Sequence, residues 1–161
     1  MPELIKVGMA DLKAGKSPDS IISYGLGSCV GIALYDAQTK IGGLAHIMLP
    51  DSTQARATDN QAKFADTALP VLLDQLIGMG AAKSRITAKI AGGSQMFSFV
   101  QATDIMRIGD RNSEAVRAVL KNLSIKLLAE DVGGNYGRTV ELMLDTGVFV
   151  IKTVDKGEKK L

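Results

Sequence analysis

The sequence predicts an α+β fold whose β-sheets pack as a sandwich. Seven short runs rich in Val, Ile or Leu are bounded by turn residues, as strands are, and only two longer stretches carry helical spacing. The two stretches do not alternate strictly with the runs, which is the pattern of an α+β sandwich. The 17 glycines fall as punctuation between these runs, with no internal repeat, low-complexity tract or long linker. A length of 161 residues at 46% hydrophobic composition is enough for one domain, over 1–161, with a substantial core.

The strands are expected at Leu4–Met9, Cys29–Tyr35, Ile41–Leu49, Ile86–Ala91, Ser124–Glu130, Arg138–Leu144 and Val148–Val154. The first helix is expected from Asn60 to Met79. There Ala65, Ala68, Leu69, Leu72, Leu73, Leu76 and Ile77 follow helical spacing, and Pro70 kinks the helix or starts its second segment. The second runs from about Asn112 to Asn122, with Val116, Val119, Leu120 and Leu123 on one face and Asn112 as the candidate N-cap. The "KGEKK" near the C-terminus reads as a solvated, frayed end.

Composition excludes several classes. A net charge of +2, with dispersed basic residues, does not mark a nucleic-acid or acidic-membrane partner, and a chain without Trp has little material for stacking bases. The start, "MPELIKVGMADLK", lacks the apolar core of a signal peptide, and no run of about 18 apolar residues could span a bilayer, so a cytoplasmic protein is expected. One cysteine forms no internal disulfide, and one Cys with one His cannot fill a tetrahedral zinc site.

The single cysteine, Cys29, lies in "ISYGLGSCVGIALYD", and the single histidine, His46, in "GGLAHIMLP". If Asp36 pairs with Ile41 across "AQTK", an antiparallel hairpin sets Cys29 opposite Met48. Cys29 and His46 then share a face as diagonal neighbours, roughly 7–8 Å apart at the backbone. A bulge at Gly42–Gly43 would shift the pairing by one and separate them. A thiol with a reference pKa of about 8.5 is mostly protonated at neutral pH, and a nearby imidazole can take its proton. The glycines of "GLGSC" let backbone N–H groups near Gly27, Ser28 and Cys29 converge as an oxyanion hole. Taken alone, a single Cys and a single His are more often a buried apolar residue and a satisfied core histidine, so the hairpin leaves both readings open.

Other motifs carry less. "GLGSCVG" is not a dinucleotide fingerprint, because Val30 stands where the third glycine is needed, and no phosphate-loop lysine follows. "IAGGSQMF" is a strand ending in a Gly-Gly turn, where Gly93, Ser94 and Phe97 either line a substrate or partner surface or form a plain strand exit. "DVGGNYGR" reads as a structural turn. "LDTGVF" holds the Asp-Thr-Gly of aspartic proteases, but the 14 residues after Gly147 are too few for the rest of such a half-site, and an ordinary hairpin turn is expected.

Several segments, in this order and spacing, resemble the CheD family of chemoreceptor glutamine deamidases: "KVGMADLK", "YGLGSCVGIALYD", "GGLAHIMLPDS", "KFAD", "KIAGGSQMF", "IGDRN" and "DVGGNYGRTVEL". The likeness spans nearly the whole chain. It implies a fold similar to cytotoxic necrotizing factor-type cysteine deamidases, with helices outside the packed sheets. It implies a protein-glutamine glutaminase of Cys-His-Ser type that converts glutamines on the cytoplasmic helices of methyl-accepting chemoreceptors to glutamate, releasing ammonia, without metal or organic cofactor. The family's nucleophile falls on Cys29, its histidine on His46, and its hydroxyl residue, usually threonine, on Ser23. It also implies a partner, the phosphatase CheC, which leaves a second reading: a noncatalytic adaptor acting by binding CheC and receptor. Neither reading calls for nucleic acid or membrane insertion.

Overall fold

A computed structural model describes residues 1–53, 60–95 and 107–161. The described residues form strands β1 (Leu4–Val7), β2 (Asp11–Lys16), β3 (Ser20–Leu26), β4 (Val30–Asp36) and β5 (Ile41–Ile47), then helix α1 (Ala65–Met79), β6 (Ile86–Gly92) and helix α2 (Ile108–Asn122). Strands β7 (Lys126–Val132), β8 (Arg138–Met143), β9 (Phe149–Thr153) and β10 (Gly157–Lys160) complete the chain. One sheet has the order β1-β3-β8-β9-β10 and the other β2-β5-β4-β6-β7. The architecture fits the expected α+β class.

Two cores separate three layers. Ile21, Leu26, Ala33, Tyr35, Leu44, Val140, Leu142, Phe149 and Ile151 fill the space between the sheets. Val30, Ile32, Leu34, Ala45, Ile47 and Ile90 pack on the opposite face of the second sheet against Leu69, Leu72 and Leu76 of α1 and Val116 and Leu120 of α2. Strands β4 and β5 are therefore covered on both faces, and every residue in them is buried. This is why they read as continuous apolar runs rather than alternating ones.

The β4–β5 hairpin has the expected register: Asp36 pairs with Ile41, Gly31 with His46 and Val30 with Ile47, without a shift at Gly42–Gly43. The two glycines serve close packing. A Cβ on Gly42 would meet Leu144 Cδ2 at 2.8 Å, and one on Gly43 would meet Leu72 Cδ1 at 2.5 Å, so both layers press onto this strand where side chains are absent.

Several expectations are corrected. Strands β2 and β3 are additional to the expected set: "DLKAGK" is a charged edge strand of mixed pattern, and "SIISYGL" carries the Gly25 of the segment before Cys29. The C-terminal segment is not frayed, since β10 pairs antiparallel with β9 and Lys159 Nζ lies 3.1 Å from Asp131 Oδ1. The first helical stretch breaks at Phe64, which is extended, between a 3-10 turn over Gln61–Lys63 and α1; Pro70 lies inside α1. Ile77 is not on its buried face but 42% exposed. Helix α2 begins four residues before Asn112, with Arg107 at its N-cap position. Asn112 is therefore interior to the helix, and its role is taken up below.

The hairpin is tied at its turn by Asp36, which is fully buried. Its carboxylate accepts hydrogen bonds from Gln38 N at 3.0 Å, Ala82 N at 3.0 Å and Arg85 Nε at 3.1 Å. Burial alone would raise its pKa, but the bonds from Arg85, Ala82, Gln38 and Thr39 outweigh it and hold the carboxyl well below the usual range. Asp36→Ala strands these donors and should cost about 2–4 kcal/mol of stability, read as a lower urea midpoint at neutral pH.

Candidate functional site

Three elements meet at the single histidine. Odd-numbered residues of β4 and even-numbered residues of β5 face the first sheet, so Cys29, one residue ahead of β4, and His46 on β5 lie on the same face of the hairpin. Across the inter-sheet space Ser23, on β3, brings its Oγ to 2.7 Å from His46 Nδ1. Ser23 and His46 are both fully buried and Cys29 is 8% exposed. After Ser23 the β3–β8 ladder carries one extra residue, with Gly25 at φ +72°, and this bulge turns the chain into the loop that ends at Cys29.

The hydroxyl sets the imidazole tautomer. Ser23 Oγ also lies 2.7 Å from the carbonyl oxygen of Val7, which can only accept, so the hydroxyl proton is committed there. Nδ1–H then donates to Ser23 Oγ, and Nε2 is the nitrogen that carries the lone pair. Nε2 is buried without a hydrogen-bond partner among the described residues, and so is not bonded to the Cys29 thiol in this state.

Burial governs both titrations. It lowers the His46 pKa to about 4, against a weaker upward pull from Asp11, its cross-strand neighbour on β2. It raises the pKa of the Cys29 thiol, with that residue's own backbone N–H acting in the opposite direction. The resting pair at neutral pH is therefore neutral thiol and neutral imidazole.

The loop before Cys29 is held by its carbonyls. Gly27 O accepts from Ser94 N at 2.9 Å, Ser28 O from Asn112 Nδ2 at 2.9 Å, and Cys29 O from Gly93 N at 2.8 Å. A trans peptide directs its N–H away from its C=O, so the N–H groups of Ser28 and Cys29 face away from the groups that grip the loop. Gly93 and Ser94 are buried supports of this loop and offer no open surface. Phe97 lies outside the described residues. Among the described residues no cluster of three or more His, Cys, Asp or Glu is placed to hold a metal, and no helix is long and apolar enough to cross a membrane.

Residues 48–153 match the family model described as CheD chemotactic sensory transduction. The chain is 55% identical over 157 residues to a probable chemoreceptor glutamine deamidase CheD of Clostridium botulinum, covering 98% of this chain and 97% of that one. The chain belongs to the CheD family. A CheD of Lachnoclostridium phytofermentans, likewise named a probable chemoreceptor glutamine deamidase, is 51% identical over 161 residues and spans both chains completely. That span takes in Ser23, Cys29 and His46, whereas the family model's match starts two residues after His46.

Sequence reasoning missed three supports of the loop. Gly92 has φ +116°, and a Cβ there would collide with the Cys29 carbonyl. Arg138, 3% exposed, donates to Gly92 O at 3.2 Å and Ser94 Oγ at 2.9 Å and pairs with Asp131 at 3.1 Å. Asn112 is the third. "AGGS" and "GGNYGR" signalled turns but not that the two turns meet: Gly133 N donates to Gly92 O at 3.0 Å, and Gln95 N to Gly134 O at 2.9 Å.

The chain has one histidine, so an NMR titration reads His46 directly. Its midpoint should fall near 4. An unfolded chain takes up this proton near 6.5 and the folded one only near 4, so the contribution to stability is complete above 6.5 and lost as pH falls through that window. Urea midpoints at pH 7.5 and 5 should differ in native protein and converge in His46→Asn; a titration midpoint near 6.5 would contradict the buried neutral imidazole.

Proposed function

We propose that this CheD chain is a cysteine-dependent protein-glutamine glutaminase that converts specific glutamine side chains on chemoreceptors to glutamate. The observation that carries the reading is the Val7–Ser23–His46 hydrogen-bond chain. It fixes Nδ1 as the protonated nitrogen and leaves Nε2 as a base on the hairpin face that Cys29 shares. A core histidine held only for packing would have both ring nitrogens bonded, whereas Nε2 of His46 is buried without a partner among the described residues.

The Cys29 sulfur attacks the carboxamide carbon, its proton passes to His46 Nε2, and the carbonyl becomes an oxyanion facing the N–H groups of Ser28 and Cys29. Collapse of this intermediate breaks the C–N bond, and the imidazolium returns its proton to the departing ammonia. Water, deprotonated by Nε2, then attacks the thioester and leaves glutamate and free thiol. Throughout, Ser23 accepts from Nδ1–H and orients the ring, as the third group does in other triads. Apo hydrogen bonds at such sites are often unmade and close only around substrate, in keeping with the unpartnered Nε2. No cofactor enters these steps. The substrate lies on the receptors' cytoplasmic helices, which places the enzyme in the cytoplasm, and CheC is the regulatory partner.

Intact-mass analysis of a receptor cytoplasmic fragment tests the reaction. Native protein should convert amide to acid, and Cys29→Ala should convert none while keeping its fold; undiminished conversion by Cys29→Ala would sink the mechanism. A variant that is inert on the fragment yet supports normal chemotaxis in cells would favour the adaptor reading, with CheC and receptor bound but not modified. Ser23→Ala should lower kcat about tenfold or more with KM little changed, because the lost bond matters once imidazolium forms. A rate within about twofold of native removes Ser23 from the mechanism and leaves a Cys–His dyad.

A further inference from the structure

We infer that Asn112 is a positioning residue that aims the Cys29 N–H as the principal oxyanion donor. The inference rests on the cysteine mechanism above and adds a residue that acts from outside it.

Asn112 sits in the interior of α2, a poor place for asparagine, and is fully buried. Its amide spends both hydrogens on carbonyls of other elements: Ser28 O and Met48 O, each at 2.9 Å. Ser28 immediately precedes the nucleophile, and Met48 is the residue the hairpin register sets opposite it. Two carbonyls gathered on one buried nitrogen require a neutral double donor. Aspartate and leucine, of similar size, cannot supply one, and serine has a single donor hydrogen.

The consequence runs through the peptide plane. With Ser28 C=O locked onto Asn112, planarity turns the Cys29 N–H to the opposite side. Regular pairing with β6 would consume that N–H on the Gly93 carbonyl. Instead Gly93 donates its N–H to Cys29 O without a return bond, its φ is +64°, and its carbonyl lies against Gly109 of α2, where a Cβ would approach it to 2.6 Å. Helix α2 thus meets this loop twice, bonding the Ser28 carbonyl through Asn112 and packing against the Gly93 carbonyl at Gly109, and the donor left over is beside the nucleophile.

The test is Asn112→Ser and Asn112→Asp, assayed three ways: kcat and KM on the receptor fragment, the rate of Cys29 alkylation by iodoacetamide, and thermal unfolding. Alkylation uses the same sulfur but displaces iodide at a saturated carbon and develops no oxyanion. Folded variants should lose about 100-fold in kcat, with KM and alkylation within about twofold of native. An unchanged kcat, or alkylation falling in parallel with kcat, overturns the assignment. Native protein gives a measurement that does not depend on the variants folding. A receptor peptide carrying an aldehyde in place of the carboxamide is attacked by the thiol: the S–C bond forms, the S–H bond breaks and its proton passes to the former carbonyl oxygen, which becomes the hemithioacetal hydroxyl. The Cys29 amide proton should then move downfield and become protected from exchange; an unmoved resonance overturns the proposal. Turnover surviving in Cys29→Ala removes the mechanism itself, whereas a dead Cys29→Ala with full-rate Asn112 variants removes only the role of Asn112.

Discussion

The site depends on the register of the β4–β5 ladder. A slip of one residue would turn His46 toward the helices and leave Cys29 facing the first sheet alone. Two features pin it. At the turn, Asp36 gathers backbone and guanidinium donors from two segments, its own turn and Ala82–Arg85. Along the ladder, burial on both faces gives every residue a neighbour that fits only one register. Gly42 and Gly43 belong to this constraint, since Leu144 from one layer and Leu72 from the other occupy the space their side chains would take. The hairpin is a rigid plate, and the residues that complete the site are brought to it by β3 and α2.

Burial, which makes the plate rigid, also decides the charge state of the site. It disfavours thiolate and imidazolium alike. A carboxylate in the place of Ser23 would stabilise the imidazolium at rest and draw the pair toward a standing ion pair. A hydroxyl already committed to the Val7 carbonyl offers only an acceptor, so it fixes the tautomer without adding charge.

The hairpin and its shared face were legible because they follow from local pattern: a turn between two apolar runs, read with period two. The α+β class was legible from the same counting. What the sequence concealed was tertiary. Strand β3 is a strand because β1 and β8 flank it; its "SYGL" reads as a turn since the bulge at Gly25 is a turn in composition. Asn112 has the composition of a cap and follows no apolar run, so a capping rule claimed it, and only the meeting of α2 with the ends of the hairpin shows where its amide goes. Gly93 and Ser94 were legible as special but not in kind: a glycine pair after a strand marks a close approach, and whether the approaching group is a ligand or another loop is settled by what lies across from it. Here it is the Cys29 carbonyl and the start of α2.

A neutral resting site suits a neutral substrate group. In the proposed reaction the carboxamide enters without displacing a counter-ion, and charge appears only when sulfur attacks, as an imidazolium and an oxyanion formed together. In a dry site such a pair is costly unless dipoles already point at it, because the protein cannot reorient groups on that timescale. The dipoles available are the backbone N–H groups of Ser28 and Cys29, and their direction was fixed during folding by bonds to the other end of each peptide unit, from Ser94 and Asn112. The energy that orients the oxyanion donors is thus folding energy, held in carbonyl bonds that do not change during the reaction. In the proposed sequence, loss of ammonia carries the imidazolium proton away and returns the site to neutrality before water enters.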